Sequence, residues 1–220
     1  MSDFFTLQGP SFGPAAGGRP RSLVILLHGL GADGDDLIQL APYWADRLPT
    51  TEFLSPHAPF PCDMAPYGRQ WFSLQDRDPK AVLAGVEAAA PILDAFIDAS
   101  LEARGLDDSA LALVGFSQGT MMSLFVAPRR KSPIAGVVGF SGALIAGERL
   151  AAECRARPPV LLVHGEADPI VPFAAMAAAE SALRMAGLEV ATEARPGLPH
   201  SIDEVGLAKG GSFLATRLPR

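Results

Sequence analysis

The sequence contains little cysteine and no long hydrophobic run, and each shortage excludes a class of protein. Only two cysteines, Cys62 and Cys154, occur among 220 residues. Two cysteines are too few for a disulfide framework and their spacing fits no metal site, so we expect free thiols in a reducing compartment. No stretch reaches the roughly 18 consecutive apolar residues of a membrane-spanning helix, which predicts no integral membrane association.

Basic residues are also scarce, since 18 Lys and Arg stand against 24 Asp and Glu. A nucleic-acid-binding surface needs clustered Lys and Arg, so no nucleic-acid partner is expected. The run Arg129-Arg130-Lys131 follows a predicted helix and is interpreted as a solvated helix end. Residues 1–7 lack the basic and apolar segments of a signal peptide, which together with the cysteine usage predicts a cytoplasmic protein.

The sequence also lacks the motifs of metal and cofactor sites. Its four histidines form no pair on one helix face, and none is expected beside clustered carboxylates, so no metal site is predicted. The glycines of segment 29–34 do not have the spacing of a dinucleotide-binding loop, and the nearby aspartates would repel a pyrophosphate. We therefore expect no cofactor.

What the chain does contain is an alternation of apolar strands and amphipathic helices. Continuous apolar or β-branched runs predict strands at 23–28, 52–55, 111–115, 134–140, 160–164 and 189–194. Helices are predicted at 36–48 with a kink at Pro42, at 80–104 with a division at Pro91, and at 172–186. This pattern predicts an α/β fold with a doubly wound, mostly parallel sheet, and the length favours a single domain over residues 1–220.

One predicted strand passes directly into a helix with a serine at the junction. The strand at 111–115 is followed by Phe-Ser-Gln-Gly, with Ser117 at the bend. Such a turn lifts the serine hydroxyl out of the sheet beside the next backbone N–H groups. A side chain at Gly115 or Gly119 would collide with the adjoining strand or helix. Ser117 is therefore the candidate nucleophile, and Ser141 is a weaker rival because its segment lacks the second glycine.

A serine nucleophile needs a base and an orienting carboxylate, which come after it in the order acid and then histidine in this architecture. Asp168 lies just past a predicted strand, where a loop can direct its side chain sideways. His200 lies in a loop before a helix whose start is predicted from Ser201 and Glu204. We therefore assign Asp168 as the acid and His200 as the base.

Other polar residues near the strand ends are given simpler roles. Glu166 is the alternative acid, but an offset of two residues should place it on a different side of the turn from Asp168. His164 belongs to the preceding strand and is expected to pack in the core. His28 and His57 precede the nucleophile and are expected to hold loops by hydrogen bonds.

A glycine-rich bend after the strand at 23–28 supplies a place for the oxyanion. A backbone N–H in this bend, assigned to Leu30, can pair with the N–H of Gln118 to bind the charge of a tetrahedral intermediate. Because the donors are backbone groups, the side chain at position 118 is expected to matter little.

Six segments resemble the phospholipase/carboxylesterase family of α/β-hydrolases, which includes bacterial carboxylesterases and acyl-protein thioesterases. They are His28-Gly29-Leu30-Gly31-Ala32-Asp33-Gly34, Ser55-Pro56-His57-Ala58-Pro59, Arg69-Gln70-Trp71-Phe72, Gly115-Phe116-Ser117-Gln118-Gly119, His164-Gly165-Glu166-Ala167-Asp168 and Gly197-Leu198-Pro199-His200. The resemblance extends over residues 5–218. It implies a triad of Ser117, Asp168 and His200, oxyanion donors at Leu30 and Gln118, and a Trp71 loop beside the acyl pocket.

The predicted function is that of a serine carboxylesterase acting on a small-molecule or lipid-like acyl ester. Residues 141–159 are too few for a cap domain, so a shallow groove walled by Trp71 is expected to prefer short to medium acyl chains. An acyl-protein thioesterase or lysophospholipase is the alternative. A hydrolase of another bond type and a non-catalytic binding module are less favoured. The oligomeric state is left open, a homodimer being one option.

Overall fold

The computed structural model describes residues 7–219. Strands and helices alternate along this part of the chain, with short 3-10 turns between some of them. In order they are β1 Ser11–Phe12, β2 Ser22–Leu27, α1 Gly34–Leu37, α2 Ala41–Ala45, β3 Thr51–Leu54, β4 Phe60–Pro61, β5 Arg69–Gln70, α3 Pro79–Glu102, β6 Leu111–Phe116, α4 Gln118–Val126, β7 Gly136–Phe140, α5 Gly147–Glu153, β8 Val160–Gly165, α6 Ala174–Met185, β9 Val190–Arg195 and α7 Glu204–Arg217.

Seven strands form one sheet in the order β1-β3-β2-β6-β7-β8-β9. β1 pairs with β3 in the antiparallel direction, and all the other pairs in this sheet are parallel. β4 and β5 form a separate two-stranded hairpin. The predicted doubly wound, mostly parallel sheet is therefore confirmed. Because β2, β6, β7, β8 and β9 run in the same direction, their carboxyl ends meet at one edge of the sheet.

The sheet has a hydrophobic core on each face, because successive side chains of a strand point to opposite sides. In β2, Leu23, Ile25 and Leu27 pack with side chains from α3, α4, α5 and α6, whereas Val24 and Leu26 pack with side chains from α1, α2 and α7. Burial of one such side chain contributes about 1.5–3 kcal/mol. This double burial explains why the strands read as continuous apolar runs.

Proline affects two helices differently from the prediction. α3 continues through Pro91 without a break, so its predicted division is wrong. Pro91 lies on the exposed side of α3, and buried residues such as Leu93 pack against the sheet and keep the helix continuous. The segment around Pro42 is divided instead, because α1 ends at Leu37 and Pro42 stands in the first turn of α2, where proline is tolerated.

α7 begins later than the cap predicted from Ser201 and Glu204. The N-cap is Asp203, whose Oδ1 accepts a hydrogen bond from the N–H of Gly206 at 2.8 Å. The same carboxylate accepts a hydrogen bond from Arg195 at the end of β9, at 3.0 Å. This tertiary contact fixes the start of the helix and leaves His200 in the preceding loop.

The basic run after α4 is part of the folded structure, so its interpretation as a solvated helix end is wrong. Arg130 is only 7% exposed, and its guanidinium donates hydrogen bonds to Asp94, Asp98 and Asp108. Burial alone would lower the pKa of Arg130, but the three carboxylates outweigh it and raise that pKa. Arg129 is paired with a glutamate of α5. The run thus ties the end of α4 to α3 and α5.

The connection between β7 and β8 is short, as predicted. Residues 141–159 contain one α-helix, α5, and its Leu150 packs into the core that already lies under the sheet. The connection therefore adds no cap with a core of its own. Within residues 7–219, no helix combines the length and the apolar character needed to cross a membrane.

Candidate active site

Ser117 occupies the tight turn between β6 and α4. Its backbone has φ +53° and ψ −114°, a conformation that residues other than glycine rarely adopt. The N–H of Ser117 donates to the carbonyl of Phe140 on β7 at 2.9 Å, and its own carbonyl accepts from the N–H of Met121 at 3.2 Å. These bonds hold the strained turn, and the serine side chain remains partly exposed at the edge of the sheet.

The two glycines beside Ser117 are sterically required, as predicted. A Cβ atom on Gly115 would lie 2.3 Å from the backbone nitrogen of Thr120 in α4. A Cβ atom on Gly119 would lie 1.8 Å from the carbonyl oxygen of Leu27 in β2. Neither backbone group can move without separating α4 from the sheet, so only glycine permits this packing.

Asp168 and His200 form a hydrogen-bonded pair at the same edge. His200 Nδ1 lies 2.7 Å from Asp168 Oδ2, and Asp168 Oδ1 accepts the N–H groups of Ile170 and Val171 at 2.8 and 2.9 Å. Burial raises the pKa of Asp168, but the hydrogen bonds from His200 and the two N–H groups outweigh it and lower that pKa. Asp168 is therefore ionised at neutral pH. The structure pairs Asp168 with His200, whereas Glu166 is exposed.

The imidazole of His200 lies against the Ser117 turn. Its ring packs on that of Phe116, the residue before Ser117, with ring centroids 4.8 Å apart. Within the described chain Ser117 Oγ makes no hydrogen bond of its own. Bonds between such a serine and its base commonly form only when substrate is bound. The ends of β6, β8 and β9 thus bring Ser117, Asp168 and His200 to one place.

The loop after β2 lies beside Ser117 and carries Leu30. A Cβ atom on Gly29 would lie 3.4 Å from Ser117 Cβ. Among residues 7–219 the N–H of Leu30 has no acceptor. The N–H of Gln118 opens α4, where no acceptor exists within the helix. The two predicted oxyanion donors therefore belong to adjacent segments.

His28 holds this loop in place, as predicted. The side chain is completely buried, Nδ1–H donates to the carbonyl of Gly29 at 2.8 Å, and Nε2 accepts the N–H of Ala58 at 2.9 Å. Burial lowers the pKa of His28, although the bond to Gly29 opposes this effect. The ring is therefore neutral at neutral pH, which the combination of one donor and one acceptor nitrogen requires.

His57 also holds a loop as predicted, since its Nδ1 accepts the N–H of Gly34 at 3.1 Å. The expectation that no histidine lies beside clustered carboxylates is wrong, because ligand atoms of Asp33, Asp35 and His57 lie within 4.8 Å of one another. The loop after β3 folds against the start of α1, a proximity that sequence spacing does not reveal. Asp33 caps α1 by accepting backbone N–H groups, and we assign no metal to this cluster.

His164 makes a contact that sequence reasoning missed. The side chain is buried as expected, at 2% exposure. Its Nε2 lies 2.9 Å from the carbonyl oxygen of Val171 and 3.3 Å from Asp168 Oδ2. A carbonyl only accepts, so Nε2 carries a proton and also faces the carboxylate. The Asp168 carboxylate is thus hydrogen-bonded to His200 and to two backbone N–H groups, and the His164 ring lies beside it.

The expectation that Trp71 walls an open groove is wrong, because the side chain is completely buried. Trp71 Nε1 donates to the carbonyl of His28 at 3.1 Å. The N–H of Trp71 donates to Gln118 Oε1, and Gln118 Nε2 donates to the carbonyl of Phe72, both at 2.8 Å. The segment after β5 therefore carries Trp71 beneath the loop after β2. Sequence reasoning missed this use of the Gln118 side chain.

Residues 15–218 match the phospholipase/carboxylesterase family. The chain belongs to this family. The crystal structure of esterase PE8 is 41% identical and matches with a TM-score of 0.92, covering 97% of this chain and 100% of that one. Esterase YpfH of Escherichia coli is 28% identical over 99% of this chain and 90% of its own. Acyl-protein thioesterase 1 of Neurospora crassa is 28% identical over 92% of this chain and 89% of its own.

Membership of this family confirms three predictions, namely the family, the α/β-hydrolase fold and the class of enzyme, a hydrolase of ester bonds. The family match extends over the end of β6, the loop that carries Asp168 and the loop that carries His200.

Proposed function

We propose that this protein is a serine carboxylesterase in which Ser117 is the nucleophile, His200 the general base and Asp168 the acid that orients it. The observation that carries the proposal is the 2.7 Å contact between Asp168 and His200 beside the strained Ser117 turn. Two cores share the strands of one sheet, which supports treating residues 1–220 as one α/β-hydrolase domain.

The proton positions on the triad determine the direction of the first step. Because ionised Asp168 only accepts, His200 Nδ1 carries a proton and Nε2 presents its lone pair. In the proposed reaction Nε2 takes the Ser117 hydroxyl proton as Oγ attacks the ester carbonyl. The N–H groups of Leu30 and Gln118 then bind the carbonyl oxygen as it becomes negative.

The second half of the proposed reaction restores the enzyme. The tetrahedral intermediate collapses, the C–O bond to the alcohol breaks, and protonated His200 gives its proton to the leaving oxygen. Water then attacks the acyl-Ser117 ester while His200 takes a proton from it, and the second tetrahedral intermediate collapses as the bond between the acyl carbon and Oγ breaks. His200 returns its proton to Oγ, which restores the serine hydroxyl and releases the carboxylic acid. Asp168 stabilises the imidazolium in both halves and stays ionised, which agrees with its lowered pKa.

The proposed substrates are esters with short to medium acyl chains. Trp71 is buried and forms no wall for the acyl chain. The support for this preference is the short connection between β7 and β8, which contains α5 as its one α-helix. An acyl chain gains about 0.8 kcal/mol per methylene only while it stays in contact with the protein. An acyl-protein thioesterase is the second candidate, supported by the relative from Neurospora crassa. A lysophospholipase belongs with it, and another bond type or a non-catalytic module is less favoured.

Labelling with a fluorophosphonate tests the nucleophile. We expect one label per chain on the peptide that contains Ser117, complete loss of labelling in Ser117→Ala, and normal labelling in Ser141→Ala. A label on Ser141, or a folded protein that does not react, would overturn the proposal.

A series of p-nitrophenyl esters tests the acyl preference. We expect kcat/KM to reach its maximum at short to medium chains, with no increase in rate above the micelle threshold. A steady rise to palmitoyl chains would put the thioesterase or lysophospholipase function first, and cleavage of amides in preference to esters would indicate another bond type.

We further propose that this protein acts on a small-molecule or lipid-like acyl ester and has no nucleic-acid partner, and that it acts in the cytoplasm. The net charge of −6 and the use of the basic run in ion pairs support the first statement. Cys62 and Cys154 are free thiols, as predicted, which supports the second.

A further inference from the structure

The side chain of Gln118 is buried, with both ends of its amide bound to another segment of the chain. It is 1% exposed. Oε1 accepts the N–H of Trp71 and Nε2 donates to the carbonyl of Phe72, each at 2.8 Å. A primary amide that bonds the N–H of one residue and the carbonyl of the next holds that backbone at two points. The nucleophile turn and the segment after β5 are therefore fixed to each other.

The same segment is fixed to the loop after β2 at both sides of Leu30. This loop, residues 28–32, is called the oxyanion loop because it carries the proposed donor of Leu30. Before Leu30, Trp71 Nε1 donates to the carbonyl of His28 at 3.1 Å. After Leu30, the carbonyl of Arg69 accepts the N–H of Gly31 at 2.9 Å, and the N–H of Arg69 donates to the carbonyl of Ala32 at 2.8 Å. The peptide group that carries the Leu30 N–H thus lies between two attachment points on residues 69–71.

The guanidinium of Arg69 stiffens this segment further. Its Nε and Nη2 donate to the carbonyls of Ala58 and Pro59 at 2.8 and 2.9 Å. The N–H of Ala58 in turn donates to His28 Nε2 at 2.9 Å. Residues 58–72 therefore form one hydrogen-bonded brace between the oxyanion loop and Gln118.

From these contacts we infer that the Gln118 side chain is a positioning residue for the oxyanion site, in addition to the donor role of its own N–H. The inference rests on the proposed function. The two donors come from different loops, after β2 and after β6, and the brace sets the distance between them. An oxyanion donor acts over a narrow range of about 2.7–3.1 Å, and a displacement of about 1 Å can cost 10²-fold in rate. This inference replaces the expectation that the side chain at position 118 matters little, because it gives that side chain a positioning role.

The experiment uses Gln118→Met, which keeps the length of the side chain and the backbone N–H but removes both hydrogen bonds. Turnover is normalised to the number of sites titrated by the fluorophosphonate. Affinity is measured for a trifluoromethyl ketone, which forms a tetrahedral adduct with the serine, and for the alcohol of the same chain length, which does not. Gln75→Met is the matched control, because Gln75 is an exposed glutamine that bonds to Asp63 in the same stretch.

We expect kcat per titrated site and ketone affinity of Gln118→Met to fall together by roughly 10- to 100-fold, a fraction of the loss on deleting a donor. KM and the affinity for the alcohol should change by less than about threefold, since neither depends on the oxyanion donors. Gln75→Met should stay within about twofold of the parent in all four quantities. A folded Gln118→Met protein with normal kcat and ketone affinity would overturn the inference, as would a loss of stability alone.

The variant Trp71→Phe is a second test of the inference, at the other end of the brace. Phenylalanine keeps an aromatic ring in the core, although a smaller one, and the donor to the His28 carbonyl is lost. We expect the same pattern with a smaller loss of about five- to tenfold, and a double variant with less than the product of the two losses, because both act through one structure. If Gln118→Met does not fold, Trp71→Phe tests the inference by itself. An equal loss of affinity for the ketone and for the alcohol would then overturn the inference, and so would unchanged affinity for both.

The variant Ser117→Ala distinguishes a failure of the inference about the brace from a failure of the proposed function. An inactive Ser117→Ala protein together with an unaffected Gln118→Met protein overturns the brace and leaves the proposed function standing. A Ser117→Ala protein that keeps its activity overturns the proposed function itself, and the brace with it.

Discussion

Two neighbouring strands of the sheet, β6 and β7, both end in Gly-Phe, and each is followed directly by a serine. The register places Phe116 opposite Phe140, so Ser117 and Ser141 leave the sheet side by side. Both serines have positive φ, +53° and +48°. The N–H of each donates to a carbonyl on the next strand, at 2.9 Å in both cases. The two strand ends therefore share the register, the positive φ and this backbone hydrogen bond.

The two ends diverge immediately after the serine. α4 begins directly after Ser117, and Gly119 allows it to pack against β2. No helix begins after Ser141 until α5 at Gly147. Ser117 remains partly exposed beside His200, whereas Ser141 is 1% exposed. The Oγ of Ser141 is the one buried side-chain polar atom without a hydrogen-bond partner in the described part of the chain.

The comparison indicates that a strained serine at a strand end is not sufficient for chemistry. The Ser117 hydroxyl has three further features that Ser141 lacks, namely contact with solvent, the unpaired N–H groups at the start of a helix, and a histidine ring packed on the preceding phenylalanine. These features come from the glycine two residues after the serine and from the distant His200 loop.

The largest expected difference between the two ends is in turnover. Ser117→Ala should lower kcat by at least ~10³-fold, as loss of a triad member does, while the protein stays folded. Ser141→Ala should keep kcat within about twofold. Kinetics on a short p-nitrophenyl ester, with circular dichroism as the control for folding, compare the two variants. An active Ser117→Ala and an inactive Ser141→Ala would reverse the assignment.

The glycines two residues before each serine should differ next. A Cβ on Gly115 would lie 2.3 Å from the backbone of α4, whereas the three atoms nearest to a Cβ on Gly139 belong to the side chains of Thr120 and Leu162, the nearest at 2.6 Å. Overpacking costs about 1–3 kcal/mol where side chains can adjust and more where they cannot. We expect Gly115→Ala to lower the free energy of unfolding by at least ~3 kcal/mol and Gly139→Ala by about 1–2 kcal/mol, measured by urea denaturation. Equal losses would show that the two strand ends pack alike.

The smallest expected effect is on stability at Ser141. Its hydroxyl is buried without a partner, so Ser141→Ala removes an unfavourable group and should leave the free energy of unfolding unchanged or raise it by up to ~1 kcal/mol. Ser123 is the matched control, since it is also buried but donates to the carbonyl of Gly119 at 2.9 Å. Ser123→Ala should lose about 1 kcal/mol. A clear loss in Ser141→Ala would reveal a partner for this hydroxyl.

The central strands were predictable from sequence because a strand buried on both faces is almost entirely apolar, as in β2, β6 and β8. The edge strand β9 is exposed or half-buried after Val190, so this reason does not apply to it. The boundaries of β2, β3, β6, β8 and β9 agree with the predicted ones to within one residue at each end. β7 starts at Gly136, two residues after the predicted start. The helices were less predictable, since the continuity of α3 through Pro91 depends on packing against the sheet rather than on local preference.

At the candidate site, chain order and glycine spacing gave the positions of Ser117, Asp168 and His200. The role of Trp71 could not be derived in this way. An indole is both apolar and a donor, so the sequence allows a pocket wall and a core position equally well. Its bond to Gln118 joins residues 47 positions apart, and no local pattern encodes such a contact. The burial of Arg130 was missed for the same reason, because Asp94, Asp98 and Asp108 converge only in the folded chain.

The short connection between β7 and β8 has a consequence for the second half of the proposed reaction. With only α5 in that connection, and with 17% of the His200 side chain exposed, an acyl group on Ser117 would stand where bulk solvent reaches it. Water and any dissolved alcohol would then compete for the same carbonyl carbon in proportion to concentration and nucleophilicity. Hydrolysis would prevail because water is abundant, and in alcohol-rich solvent the same site would transfer the acyl group to form a new ester.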